Sequence, residues 1–197
     1  MSTKKKRFQQ QIAEKAYDVG FGAKKNLATY DIIEKAPGWI SFISLAVGIL
    51  SLIIEPLSGK IVSATLLILG ITVLYIEPYR HEKQKYMDAG DRATQIFNSL
   101  KTLCRKVEDK DDDDDFQSEE QELNSLESEF YSTSVKKQIF LSDWYAHFKF
   151  FWQFQISWIE KHRKFKLFRD KIPLSLYATV AAIIIISIIL FIFKKGC

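Results

Sequence analysis

The stretch WISFISLAVGILSLII, Trp39–Ile54, runs into Glu55-Pro56-Leu57-Ser58-Gly59-Lys60 and then into IVSATLLILGITVLYI, Ile61–Ile76. Neither run carries a charge, and each ends in Ile-Glu-Pro. A third run, Ile172–Phe193, lies near the C-terminus. Charge-free runs of this length suit a bilayer, where a helix satisfies its own backbone hydrogen bonds. The six-residue break holds Pro56 and Gly59 and reads as a tight turn between antiparallel helices. The expected fold is an all-α membrane protein: a two-span helical hairpin (39–54 and 61–76) with cytoplasmic helical extensions, plus a third transmembrane helix at 172–193.

Averages hide this pattern. A mean hydropathy of -0.07 and 26% charged residues would pass for a soluble chain. With three spans in 197 residues, only Glu77–Lys171 remains as a long polar body, short for a classical enzyme core. The net charge of +4 is also an average: Glu108–Glu129 holds 12 acidic residues and one basic one, so the remainder is strongly basic. The basic start at Lys4–Arg7 precedes polar residues, which is not the pattern of a cleaved signal peptide. Cys104 and Cys197 build no disulfide framework; Cys104 reads as a buried apolar position, and Cys197 does not stand four from the end, as prenylation requires.

Positive charge sets the topology. Lys24, Lys25 and Lys35 precede the first run, Arg80, Lys83 and Lys85 follow the second, and the turn offers Lys60 alone. The positive-inside rule puts both hairpin ends in the cytoplasm. Six basic residues between Lys161 and Lys171 precede the third run, so the expected placement is the inner membrane, N-terminus in, C-terminus out. At 1.5 Å per residue the hairpin runs cover about 24 Å and the third about 33 Å, so the hairpin is short for a core of about 30 Å. Either turn residues sit at headgroup level or the bilayer thins around them.

Beyond Pro78, Tyr86, Ala89, Ala93, Ile96, Leu100, Leu103 and Val107 alternate spacings of three and four, a heptad seam on a helix expected over 79–107. Phe8, Ile12, Ala16, Val19, Ala23, Leu27 and Tyr30 repeat similarly, although Gly20 and Gly22 weaken the middle. These stripes can pack on one another or serve as an intersubunit seam. Residues 111–117, with Asp111–Asp115, read as a solvated acidic hinge; the Gly and spaced ligands of an EF-hand are missing. Ser118–Phe130 reads as helical again.

In Ile139–Phe168 the residues Phe140, Trp144, Phe148, Phe151, Phe154 or Gln155, and Trp158 recur at three or four positions. With Trp158, Lys161, Arg163, Lys164, Lys166, Arg169 and Lys171 as headgroup contacts, the segment 118–171 is expected to end in an interfacial helix on the anionic inner leaflet. Packing on the helical extensions is the competing use. Such residues also suit single-stranded nucleic acid, but beside a span no nucleic-acid partner is expected.

No catalytic grouping appears. His81, His147 and His162 are scattered without companion cysteines, and no Gly-rich phosphate loop or nucleophile motif is present. No cofactor, metal or enzymatic activity is expected. Glu55 and Glu77 read as boundary residues at opposite faces of the bilayer.

A helix with spaced basic residues and an Asn-x-x-x-Tyr pattern (Lys24, Lys25, Asn26, Tyr30) enters a short hairpin, whose second span continues into a cytoplasmic helix. This order resembles the SLATT family, two-transmembrane effector domains found beside nucleotide second-messenger synthases (SMODS) and SLOG sensors in bacterial anti-phage and conflict systems. The resemblance is carried by residues 12–107 within a domain at 1–110. It implies an oligomer that permeabilises the inner membrane when a partner sensor or second-messenger system triggers it. Ser41, Ser44, Gly48 and Ser51 share a helical face that suits packing within the hairpin or a pore lining in a homo-oligomer. An anchor that holds a soluble partner at the membrane is the alternative from another class.

Overall fold

The computed structural model describes residues 3–111, 114–154, 156–166 and 170–195. Every regular element among them is helical. Helix α1, Thr3–Leu50, is a single 48-residue helix. Pro37 lies inside it; proline lacks the N–H that would reach the carbonyl four residues back, yet the helix continues. After Leu50 the chain turns, with Ile54 N–H donating to the Leu50 carbonyl at 2.8 Å. A short 3-10 turn, Glu55–Ser58, then leads through Gly59 into α2, Lys60–Arg80.

The helix expected at 79–107 begins later. Pro78 is accommodated within α2, and His81 and Glu82 form a turn before α3, Lys83–Asp109. Glu82 N–H donates to the Tyr79 carbonyl at 3.1 Å there. The turn lets α3 fold back against the first half of α1. Their antiparallel register can be followed along the whole contact. Lys83 pairs with Glu34 at 2.6 Å. Farther along, a Cβ on Gly90 would stand 2.6 Å from Leu27 Cδ2. At the far end Lys5 Nζ donates to the Glu108 carbonyl at 3.1 Å.

Two clusters fill the body. The larger unites Phe8, Ile12, Ala16 and Val19 of α1 with Ile96, Leu100, Leu103 and Val107 of α3. The smaller joins Ile33 to Ile76, Tyr79, Tyr86 and Ile139 at the point where α2 returns alongside α1. Helix α4, Gln117–Thr133, covers the α1–α3 pair with Leu123 and partly buried Leu126 and Phe130. Its acidic residues meet the basic ones of the two helices beneath. Lys15 reaches Glu127 at 2.5 Å, Lys106 reaches Glu122 at 2.9 Å, Lys110 reaches Glu119 at 2.8 Å, and Arg92 pairs with Glu129. The charge imbalance along the sequence is thus resolved within the fold.

The acidic run is tethered at both sides. Asp111, Asp114 and Asp115 are exposed, but Phe116 is fully buried with its ring 5.7 Å from that of Phe8. Asp112 and Asp113 lie outside the described residues.

The aromatic region is not the continuous helix that its spacing predicts. It consists of α5, Ser142–Phe148, a π turn at Lys149–Gln153, a break at Phe154, and the single turn α6, Ser157–Glu160. Breaking the helix allows Ala146, Phe150, Ile156 and Ile159 all to reach the interior. An extended strap, 134–141, precedes α5 and is held by buried polar groups. Gln138 Nε2 donates to Asn26 Oδ1 at 2.9 Å, Thr29 Oγ1 donates to Gln138 Oε1 at 2.5 Å, and Tyr86 OH donates to the Lys137 carbonyl at 2.9 Å. The strap ends at Leu141, which has φ 68°, a left-handed conformation uncommon for a residue with a branched side chain. Helix α7, Leu174–Lys195, begins beside α5, where Trp144 Nε1 donates to Ser175 Oγ at 2.7 Å.

Candidate membrane-effector surface

Among the described residues, two helices are long and apolar enough to cross a membrane, and only 6% of each apolar window is buried. The low burial separates them from core helices of a soluble domain. Phe42, Leu45, Leu67, Ile68, Ile71 and Leu74 are 64–71% exposed. A monomeric soluble protein rarely shows more than a few hundred Å² of contiguous apolar surface.

The small-residue face is only partly covered. Ser41 is exposed, whereas Ser44, Gly48 and Ser51 are half-buried. A Cβ on Gly48 would meet nothing within 4 Å, so no close helix contact inside the chain explains this glycine. Ser51 lies past the end of α1 and its Oγ donates to the Gly48 carbonyl at 2.7 Å.

The heptad stripe is occupied within the chain. Tyr86, Ala89, Ala93, Ile96, Leu100, Leu103 and Val107 are all buried, and α1 lies against them. Gly20 and Gly22, weak points in helix propensity, are sites of close approach: a Cβ on Gly22 would stand 2.8 Å from Phe130 Cζ.

The basic and aromatic segment divides between protein and solvent. The Trp158 ring lies tilted 5.6 Å from that of Phe97, Arg163 covers the Tyr17 ring at 4.1 Å, and Lys171 pairs with Glu160 at 3.1 Å. Lys161, Lys164 and Lys166 are exposed, and Arg169 lies outside the described residues. Phe140 and Trp152 are also exposed, at 70% and 73%. The interfacial helix is therefore replaced by a packed segment with a few outward aromatics, because one side of it completes the core.

A family model described as SMODS and SLOG-associating 2TM effector domain 6 matches residues 3–180. The chain belongs to the SLATT family. The match runs through the acidic turn, the aromatic segment and the start of α7, so these parts of the SLATT chain are not additions to a core at 12–107. No curated protein and no solved structure matches it.

Electrostatics in the SLATT body is that of a packed support. Burial raises the Asp31 pKa, but hydrogen bonds from Lys149 and Lys35 outweigh it and leave the carboxyl below its ordinary range. Burial, and then the charge of Lys149, lowers the Lys24 pKa, while its ammonium sits 3.8 Å from the Phe154 ring. Burial also lowers the His147 pKa, where the imidazole packs 4.7 Å from the ring of Phe21. No group of three or more His, Cys, Asp or Glu suited to a metal ion occurs among the described residues. Spacing alone did not reveal the Asn26–Thr29–Gln138 network or the Asp31–Lys149 pair, since each joins residues more than 100 positions apart.

Proposed function

We propose that this chain is a membrane-embedded, non-enzymatic effector of a bacterial anti-phage or conflict system. In this reading it oligomerises in the inner membrane and depolarises it when a partner sensor or second-messenger system supplies the trigger. The N-terminus and the helical body lie in the cytoplasm, α1 and α2 cross as a hairpin, and α7 crosses back with the C-terminus outside.

One observation carries the reading: large apolar side chains on the last third of α1 and on α2 that stand exposed among the described residues. Family membership supports the effector role. Occupation of the heptad stripe by α1 leaves that stripe covered within the chain. The open space at Gly48 then favours association through the membrane helices, where small residues admit close approach. The exposed Lys161, Lys164 and Lys166 favour contact with anionic headgroups.

The test is induced expression with a potential-sensitive dye, paired with dye release from vesicles holding the purified chain. Depolarisation and release support the effector. A chain that reaches the membrane in quantity and leaves both unchanged would instead be an anchor for a soluble partner.

A further inference from the structure

Where α1 and α2 meet the cytoplasmic body, the chain encloses a groove of about 480 Å³. Ile32, Ala36 and Ile40 line it from α1, Thr72 and Ile76 from α2, and Leu141 from the strap. The residues from each helix stand four apart, so two apolar stripes run side by side and the strap closes them from the third direction. The volume is that of a ligand site. We propose that this groove holds an acyl chain of a bilayer phospholipid.

Three polar side chains around the groove, those of Thr72, Tyr75 and Trp144, are already engaged. Thr72 Oγ1 donates to the Ile68 carbonyl at 3.0 Å, and Trp144 Nε1 donates to Ser175 Oγ at 2.7 Å. Tyr75 OH accepts from the Phe140 N–H at 3.4 Å. A polar ligand would lose its hydration there and gain few hydrogen bonds in return. An apolar chain gives up no hydrogen bonds on entering and keeps the walls from water.

Position selects the lipid among apolar occupants. The walls are the body-side ends of the two membrane helices, and the groove is continuous with exposed Leu74, Tyr75, Phe140 and Leu141. Tyr75, Trp144 and Tyr145 at this level are residue types favoured at the headgroup boundary. Lys35, next to Ala36, has a side chain 61% exposed and stands over the neighbouring cleft formed with Gly38, Trp39 and Phe42. Its ammonium pairs with Asp31 at 2.6 Å and keeps N–H groups that can also donate to a headgroup phosphate while the acyl chain lies in the groove. The site rests on the reading of α1 and α2 as membrane helices.

The test uses the full chain in vesicles of phosphatidylethanolamine and phosphatidylglycerol, doped with a phospholipid bearing a diazirine on its acyl chain. After irradiation and digestion, adducts are mapped by mass spectrometry. Adducts are expected on the strap peptide around Ile139–Tyr145 as well as on the outward faces near Ile43 and Ile68. Ala36→Trp should fill the groove and bring strap labelling to background while labelling near Ile43 and Ile68 persists. Thr72→Trp, from the opposite wall, should do the same and guards against a folding defect in the first variant. Outward faces labelled without the strap, or strap labelling that survives both substitutions, would overturn the site. Loss of labelling everywhere in the parent would overturn the membrane reading, and the site with it.

Discussion

A Cβ on Gly20 would lie 2.8 Å from Cδ2 of Phe97, with Phe150 Cε2 at 2.9 Å on the other side. Glycine there is a notch into which α3 and the π turn press their rings. Alanine would gain up to about 1 kcal/mol in helix propensity. Overpacking a filled core costs about 1–3 kcal/mol, so the steric term wins. Gly20→Ala should lower the unfolding midpoint in detergent, whereas Gly38→Ala, with nothing within 4 Å of the added carbon, should hold or raise it.

Leu100 is fully buried between α3 and α1. Truncating such a leucine costs about 2–5 kcal/mol, and Leu100→Asp adds a carboxylate without a partner. The body should become sensitive to limited proteolysis while the chain still enters the membrane fraction. An unchanged cleavage pattern would show that this contact does not hold the body together.

Burial pushes the Cys104 thiol up to about 11 from 9.0. The unfolded chain therefore releases this proton first as pH rises. The contribution is fully present below about pH 9 and declines toward pH 11. Subtracting the pH–stability profile of Cys104→Ala from that of the parent should leave a downward slope in this window. Maleimide should label Cys104 slowly in the folded chain and quickly in denaturant.

Reporter fusions at residues 1 and 197 should read as cytoplasmic and external respectively, given the basic excess before each inward boundary. An external signal from the N-terminal fusion would reverse the arrangement.

Gly48→Leu should abolish depolarisation. The added side chain holds neighbouring helices apart at the open position on the small-residue face while raising apolarity, so insertion is kept. The measurement is membrane potential after induction, normalised to protein in the membrane fraction. A variant that inserts and depolarises like the parent would move the conducting path away from Ser41, Ser44, Gly48 and Ser51.

Periodicity made the buried stripes visible but not their partners. Tyr86 through Val107 could be read as one face, yet spacing could not say whether α1 or a second subunit lies on it; the register of Lys83 on Glu34 and Gly90 on Leu27 decides that. The break at Glu55–Lys60 was legible because Pro56 and Gly59 mark it, but α1 stops four residues short of the expected end at Ile54, because residues 51–54 already turn. Helix α1 also continues through Pro37, although that residue removes one backbone bond. The aromatic segment misled for a different reason. Rings three and four apart imply one helix, but Phe150, Ile156 and Ile159 serve a core spanning α1 and α3, and only a bent chain reaches it. Phe116, beside five aspartates, looked solvated by association with its neighbours.

The unbroken course of α1 sets how force travels through this protein. At 1.5 Å per residue its 48 residues make a rod of about 72 Å. Roughly its first two thirds are gripped by α3, α4 and the strap, and its remainder is largely bare apolar surface with α2 alongside. No loop intervenes to absorb torque. Turning the gripped portion turns the bare portion through the same angle, and the missing hydrogen bond at Pro37 leaves bending as the one soft mode between them. The shaft transmits rotation stiffly and tilt compliantly.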